Sequence, residues 1–150
     1  MHAINSLQPE FSQGELDSIR VIGSYSEIEH VLAYEPPHAP PTLVFGPEPS
    51  RGWCYYYEKA DLARQRGDWE EVLTLEGEAM KQGFAPADMI EWMPFLQAYA
   101  RADNVKQLKG LAPMITSDPY IAQQVCQIVG SMSGLSPQVI EAVDSLYCRN

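Results

Sequence analysis

From Trp53 onward, apolar residues recur at helical spacing through most of the chain. Trp53, Tyr56, Tyr57, Ala60 and Ala63 lie three or four positions apart, which puts them on one stripe of a helix. Arg66-Gly67-Asp68 interrupts the pattern. Asp68 offers a side-chain acceptor to the free amides of a new helix, and Glu71 stands where a capping box needs it. Trp69, Val72, Leu73, Ala79 and Met80 carry the second stripe, and Gly83 ends it. The segment from Trp53 to Gln82 is therefore predicted to be a helix hairpin around which the rest is arranged.

The helical pattern returns after Gly83. Asp88 and Glu91 form a second capping-box pair, opening a helix that runs to about Arg101. Pro94 cannot donate to the carbonyl of Ile90, so a kink or a ragged first turn is expected. Asp103-Asn104 breaks the run, and Val105, Leu108, Leu111 and Ala112 mark the next helix, with Pro113 near its end. Asp118-Pro119 and Ser136-Pro137 each place a capping side chain before a proline at the first helical position. Tyr120, Ile121, Val125, Ile128, Val129 and Met132 line the helix after the first of these signals. Val139, Ile140, Val143, Leu146 and Tyr147 line the one after the second. The expectation is six helices in three pairs over residues 50–150.

Residues 1–49 read differently. The first 19 are polar and weakly patterned, with Phe11, Leu16 and Ile19 as anchors and a short helix near Gln13–Asp17. Ser18–Gly23, His30–Glu35 and Thr42–Phe45 are rich in β-branched or aromatic residues and mostly bounded by Gly or Pro, which predicts strands. Pro36-Pro37-His38-Ala39-Pro40-Pro41, with four prolines, predicts a stiff extended connector. The fold class expected is mainly α: a right-handed stack of helix hairpins after a short β-containing segment.

Sliding the first hairpin onto the second by 36 residues sets Gly67 on Asp103, Asp68 on Asn104, Trp69 on Val105 and Val72 on Leu108. Such a period marks helical repeats that stack because one hairpin cannot bury both faces. Ala60, Gly67, Trp69 and Ala79 resemble the small-residue, turn and aromatic positions of a tetratricopeptide repeat. The second unit departs from that pattern at Leu96 and Asp103. A narrower resemblance covers Phe45 to about Ala102. There FGPEPSRGWCYYYEKADLARQRGDWEEV and APADMIEWMPFLQAYA are similar to the soluble C-terminal tail of large bacterial multi-pass membrane proteins of glycosyltransferase type. That resemblance implies a domain cut from a membrane-tethered parent whose catalytic part lies elsewhere, and it carries no catalytic residue onto this chain.

Twenty acidic against ten basic residues, a net charge of −10, argue against nucleic acid, whose phosphates need clustered Lys and Arg. No apolar run approaches a membrane span, so this segment is not expected to insert directly. GxSxG, Walker A, GxGxxG and HExxH are all absent, and Glu70-Glu71 and Glu76/Glu78 read as a solvated helix face. His30, His38 and Cys54 lack metal-ligand spacing. No catalytic residue, metal or cofactor is therefore assigned. Cys54, Cys126 and Cys148 exclude a complete disulfide framework but leave open one bridge with a free thiol. The plain reading of Cys54 and Cys126 is as small buried hydrophobes.

The expected function is non-enzymatic binding of a protein or peptide, which could be the membrane-embedded part of the parent chain. In a tetratricopeptide-like stack the first helix of each pair lines the concave face. That places Tyr57, Asp61, Arg64 and Gln65, with Met93, Gln97 and Arg101, in one groove. Arg64 and Arg101 suit a carboxylate. Against this stands the simpler pairing of Arg64 with Asp61 or Asp68 and of Arg101 with Asp103. Tyr55, Trp92 and Tyr99 form an alternative aromatic surface suited to carbohydrate. Self-association is the other alternative.

Overall fold

A computed structural model describes residues 17–23, 25, 27, 30, 41–47 and 50–149. The chain divides into two compact units, Met1–Gly52 and Trp53–Asn150.

In the first unit two short helices stand where strands are predicted: α1, Asp17–Gly23, and α2, Thr42–Phe45. His30 closes a turn on the carbonyl of Glu27 at 3.1 Å. The physical reason is the source of the hydrogen bonds. A strand needs a neighbouring strand, whereas a helical turn closes its own bonds, as Val44, Phe45 and Gly46 do on Pro41 and Thr42. β-Branched content at Val21, Ile22 and Val44 does not outweigh that constraint, and these side chains are exposed, as are Leu43 and Phe45. The helix near Gln13–Asp17, the side-chain anchors Phe11, Leu16 and Ile19, the strand His30–Glu35 and the proline connector fall outside the described residues, apart from Asp17, His30, Pro41 and the backbone of Ile19.

The second unit is helical throughout, and its helices stand where the pattern predicts them. They are α3, Trp53–Gln65, α4, Trp69–Lys81, α5, Met93–Arg101, α6, Val105–Ile115, α7, Pro119–Gly130, and α8, Pro137–Val143. α8 runs on as a π turn, Asp144–Cys148. The capping chemistry sets the starts. Asp68 accepts from the amide of Glu71 at 3.1 Å, Asn104 from Gln107 at 3.2 Å, and Ser136 from Val139 at 3.3 Å. Asp118 takes the amides of both Tyr120 and Ile121. Pro94 has the expected effect: a 3-10 turn, Met89–Trp92, comes first, and the α-helix proper begins at Met93. The capping box expected there takes another form. Asp88 accepts from Ile90, two residues on, while Glu91 turns to the Trp53 indole at 2.8 Å.

The same turn, together with a side-chain cap, is built twice, while Gly83 and Phe84 repeat the backbone closure on Met80 and Ala79 without such a cap. Gly67 adopts φ 74° and Asp103, 36 residues later, φ 54°. The amide of Asp68 reaches the carbonyl of Ala63 at 3.0 Å, and that of Asn104 reaches Tyr99 at 2.9 Å. Gly67 and Asp103 in turn bond to Arg64 and Ala100. This is the paired closure of a helix end by a left-handed residue. Each turn then hands the next residue to an Asx cap, so turn and cap together fix the angle of the hairpin.

α3 packs on α4 and on α5, α4 also on α5, and α5 in turn on α6 and α7. α6 and α7 pack against each other and against α8 and its π turn. Ala60, Val72, Phe95, Leu96, Leu108, Val125 and Val139 lie at the centre of the core. On α4 the buried stripe is Val72, Leu75 and Ala79, not the expected set, and Met80 is exposed because it lies about 100° around the helix from Ala79. Tyr120 and Ile140, expected on buried faces, are also exposed.

An alanine Cβ at Gly67 would meet nothing within 4 Å, so only backbone conformation opposes it. Gly67→Ala is expected to lower stability by about 1 kcal/mol. Asp103→Gly is expected to raise it by ~0.5 kcal/mol. Urea denaturation checks both, as opposite shifts of midpoint at constant slope.

Candidate functional site

Asp61 and Arg64 lie one turn apart on α3, on the face toward α5. The guanidinium Nε of Arg64 donates to Asp61 Oδ1 at 2.9 Å, and both residues are buried, at 9% and 2% exposure. Gln65 Nε2 donates to the other carboxylate oxygen at 2.8 Å. Arg64 Nη1 donates across to Gln97 Oε1 on α5 at 3.3 Å. A carboxylate out of water requires such partners; those of Asp61 come from α3 itself, and Arg64 carries the contact on to α5. Tyr57, one turn before Asp61, is also buried. Its hydroxyl is held protonated far above the ordinary tyrosine range, first by burial, then by the charges of Asp61, Glu91 and Glu58.

Of the seven residues expected in one groove, the structure therefore joins Asp61, Arg64, Gln65 and Gln97 by hydrogen bonds and sets Tyr57 in their field. Met93 is buried one turn before Gln97. Arg101 goes elsewhere. It is exposed, its guanidinium lies 5.6 Å over the Trp69 ring, and its Nη1 donates to the carbonyl of Ser133 at 2.6 Å. The two arginines thus serve different neighbours. Pairing of Arg64 with Asp61, the simpler expectation, is present, while Arg101 reaches Trp69 and Ser133 in place of the expected Asp103. Tyr57, Asp61, Arg64, Met93 and Gln97 are buried rather than displayed, which corrects the picture of an open channel lined by all seven.

The expected aromatic surface is corrected as well. Trp92 is buried against Trp53 and Phe95, with ring centroids 6.0 and 5.9 Å away. Tyr99 is buried, and its hydroxyl donates to Glu76 on α4. Neither presents a face to a sugar. Tyr55 alone of the three is half-buried, edge-on to Tyr56 at 5.2 Å with Lys59 Nζ 5.5 Å from its ring centroid.

Two features escaped the sequence reading, and a third, one bridge with a free thiol, was left open by it. Glu76, taken there as part of a solvated face, has its carboxyl held above the ordinary glutamate range by burial, an effect that the Tyr99 hydrogen bond partly offsets. Its position four residues after Val72, on the buried side of α4, was the available signal. Gln124 is buried, and its Oε1 has no partner among the described residues. It sits between Ile121 and Val125, in the apolar stripe of α7, where a polar residue is out of pattern. Asp61, Arg64, Gln97 and Gln124, the buried polar and charged residues found among the described ones, all lie on α3, α5 and α7, the leading helices of their pairs. Finally, Cys126 and Cys148 form a disulfide and Cys54 is exposed, so neither Cys54 nor Cys126 is the small buried hydrophobe expected.

Among the described residues no cluster of His, Cys, Asp or Glu could hold a metal ion, and no helix is long and apolar enough to cross a membrane. Comparison of the chain with protein-family models, curated proteins and solved structures found no match.

Arg64→Ala leaves Asp61 buried without its guanidinium and is expected to lower stability by about 3–5 kcal/mol. The apolar double replacement Asp61→Leu with Arg64→Met is expected to recover most of that loss in the same denaturation assay. Glu76 supplies a pH test. A carboxyl whose folded-state value is raised contributes stability that is full below the unfolded value and lost as pH rises through the folded one. Glu76→Gln keeps an acceptor for Tyr99, so it is expected to stabilise the protein at pH 7 and to match the parent near pH 4, as read by thermal melts across that range.

Proposed function

We propose that residues 53–149 form a tetratricopeptide-like stack of three helix hairpins whose role is to hold a protein or peptide partner rather than to catalyse a reaction. One observation carries this reading: the Gly67-Asp68 turn and the Asp103-Asn104 turn share their backbone bonds and cap at an offset of 36 residues. A unit repeated at that period buries its second face only by stacking, and stacked arrays act as extended binding surfaces. The buried Asp61–Arg64–Gln97 contacts then serve as the spacer between leading helices, beneath the residues a partner would touch. Gln65, half-buried, and Arg101, exposed, are the polar members of the expected groove that remain reachable. With its guanidinium held over Trp69, Arg101 keeps donors suited to a carboxylate.

The resemblance of Phe45–Ala102 to the tail of membrane proteins of glycosyltransferase type supports the membrane-embedded part of a parent chain as the partner. The described helices would meet that part without entering the bilayer. A carbohydrate surface draws less support, because Trp92 and Tyr99 are buried.

The test is site-specific photocrosslinking of the complete gene product in its native membrane. A photoreactive residue at position 65 or 101 is expected to give one discrete adduct. The same residue in place of Glu78 or Gln107, both exposed on second helices, is expected to give none. Equal labelling from all four positions would count against the reading.

A further inference from the structure

The end of the chain is fastened in two ways beyond apolar packing. α8 spans only Pro137–Val143, too short to hold as a helix by itself, and it widens into the π turn Asp144–Cys148. Successive residues of that turn reach different helices. Tyr147 is buried and its hydroxyl donates to the carbonyl of Leu108 on α6 at 2.6 Å. Cys148 is bonded to Cys126 of α7, with the Cα atoms 5.1 Å apart. The covalent ring from Cys126 to Cys148 therefore encloses the end of α7, the loop that supplies the Ser133 carbonyl to Arg101, the whole of α8 and the π turn. One fastening is a neutral hydrogen bond. The other can be made and broken chemically.

Access to the two sulfur-bearing residues differs. Cys148 is exposed and Cys126 half-buried, so an external thiol meets the bridge from the Cys148 side. We propose that the Cys126–Cys148 bridge is a redox latch: oxidation holds the C-terminal hairpin closed, and reduction releases residues 137–149, exposing the apolar side carried by Val139, Val143 and Tyr147.

The chemistry is ordinary thiol–disulfide exchange with a cellular dithiol of the thioredoxin class. One thiolate of the reductant attacks the Cys148 sulfur, the bridge breaks, and Cys126 leaves as thiolate and takes up a proton. The second thiol of the reductant then attacks the mixed disulfide, releasing Cys148 as a thiol and the reductant as its own disulfide. Two electrons pass to the chain, and an oxidised dithiol of the same class reverses both steps. Cys54, exposed on α3 and outside the ring, remains a thiol throughout and serves as an internal count.

Hydrogen exchange on the whole chain, with thiol titration alongside, tests the latch. The oxidised protein is expected to titrate one thiol and the reduced protein three. On reduction the amides of α8 and the π turn are expected to exchange at least about tenfold faster, while those of α3 and α4 stay unchanged. Cys148→Ser without reductant is expected to reproduce the faster exchange, and Cys54→Ser to behave as the parent in both states. Equal protection of 137–148 in the two states would overturn the proposal. So would loss of protection throughout α3 and α4 on reduction, which marks a staple for the entire unit, or failure of the reduced chain to reform the bridge with an oxidised dithiol.

Discussion

A carboxylate and a guanidinium withdrawn from water must satisfy each other, and around Asp61 and Arg64 that requirement organises the helical unit. Arg64 holds Asp61 within α3 and reaches Gln97 on α5, so burying the ion pair goes with packing α5 against α3. Ala60, fully buried one residue before Asp61, has only a methyl group to place in that core. At the other end of α3, Trp53 repeats the arrangement with an indole. Its N–H takes Glu91 while its ring packs on Trp92 and Phe95. Polar contacts of this kind add little net stability, because desolvation consumes most of the attraction. They exclude alternatives instead: a register that moved α5 along α3 would separate Gln97 from the buried Arg64 guanidinium.

The sequence was legible wherever the governing chemistry is local. Asp68, Asn104, Asp118 and Ser136 cap helices because a side-chain oxygen two or three residues from a free amide needs no tertiary help. Pro94 delays α5 by removing one donor, again a local matter. The 36-residue offset set Asp103 on Gly67 but counted it as a departure. The turn forms all the same, since Asp is among the few residues that tolerate the left-handed conformation Gly67 adopts with ease. The strands expected at 18–23 and 42–45 failed for the opposite reason: a strand is decided by a neighbour that the segment itself does not contain.

Side-chain placement was less legible, and α5 shows why. Every residue from Trp92 to Ala100 is buried, so the helix has no polar face from which to infer which side looks into a groove. Gln97 was read as a groove residue. Trp92 and Tyr99 were surface residues only in the alternative aromatic reading, against which a packed Trp92 indole was the simpler expectation. The tertiary packing buries all three. Arg64 and Arg101 occupy similar places near the ends of leading helices, yet one is drawn inward by Asp61 and the other outward onto Trp69. Which happens depends on whether an acidic side chain shares the turn. The Cys126–Cys148 pairing depends on where a π turn points its last residue, and spacing alone does not reveal that.

The account stands or falls on whether successive hairpins are coupled through the buried polar contact between α3 and α5. The direct measurement is a double-mutant cycle of Arg64→Ala and Gln97→Ala, read by equilibrium denaturation. A charge-assisted bond between buried partners predicts a coupling of about 1 kcal/mol or more. Additive effects, equal within about 0.3 kcal/mol, would mean that the two helices do not sense each other there and would contradict the account.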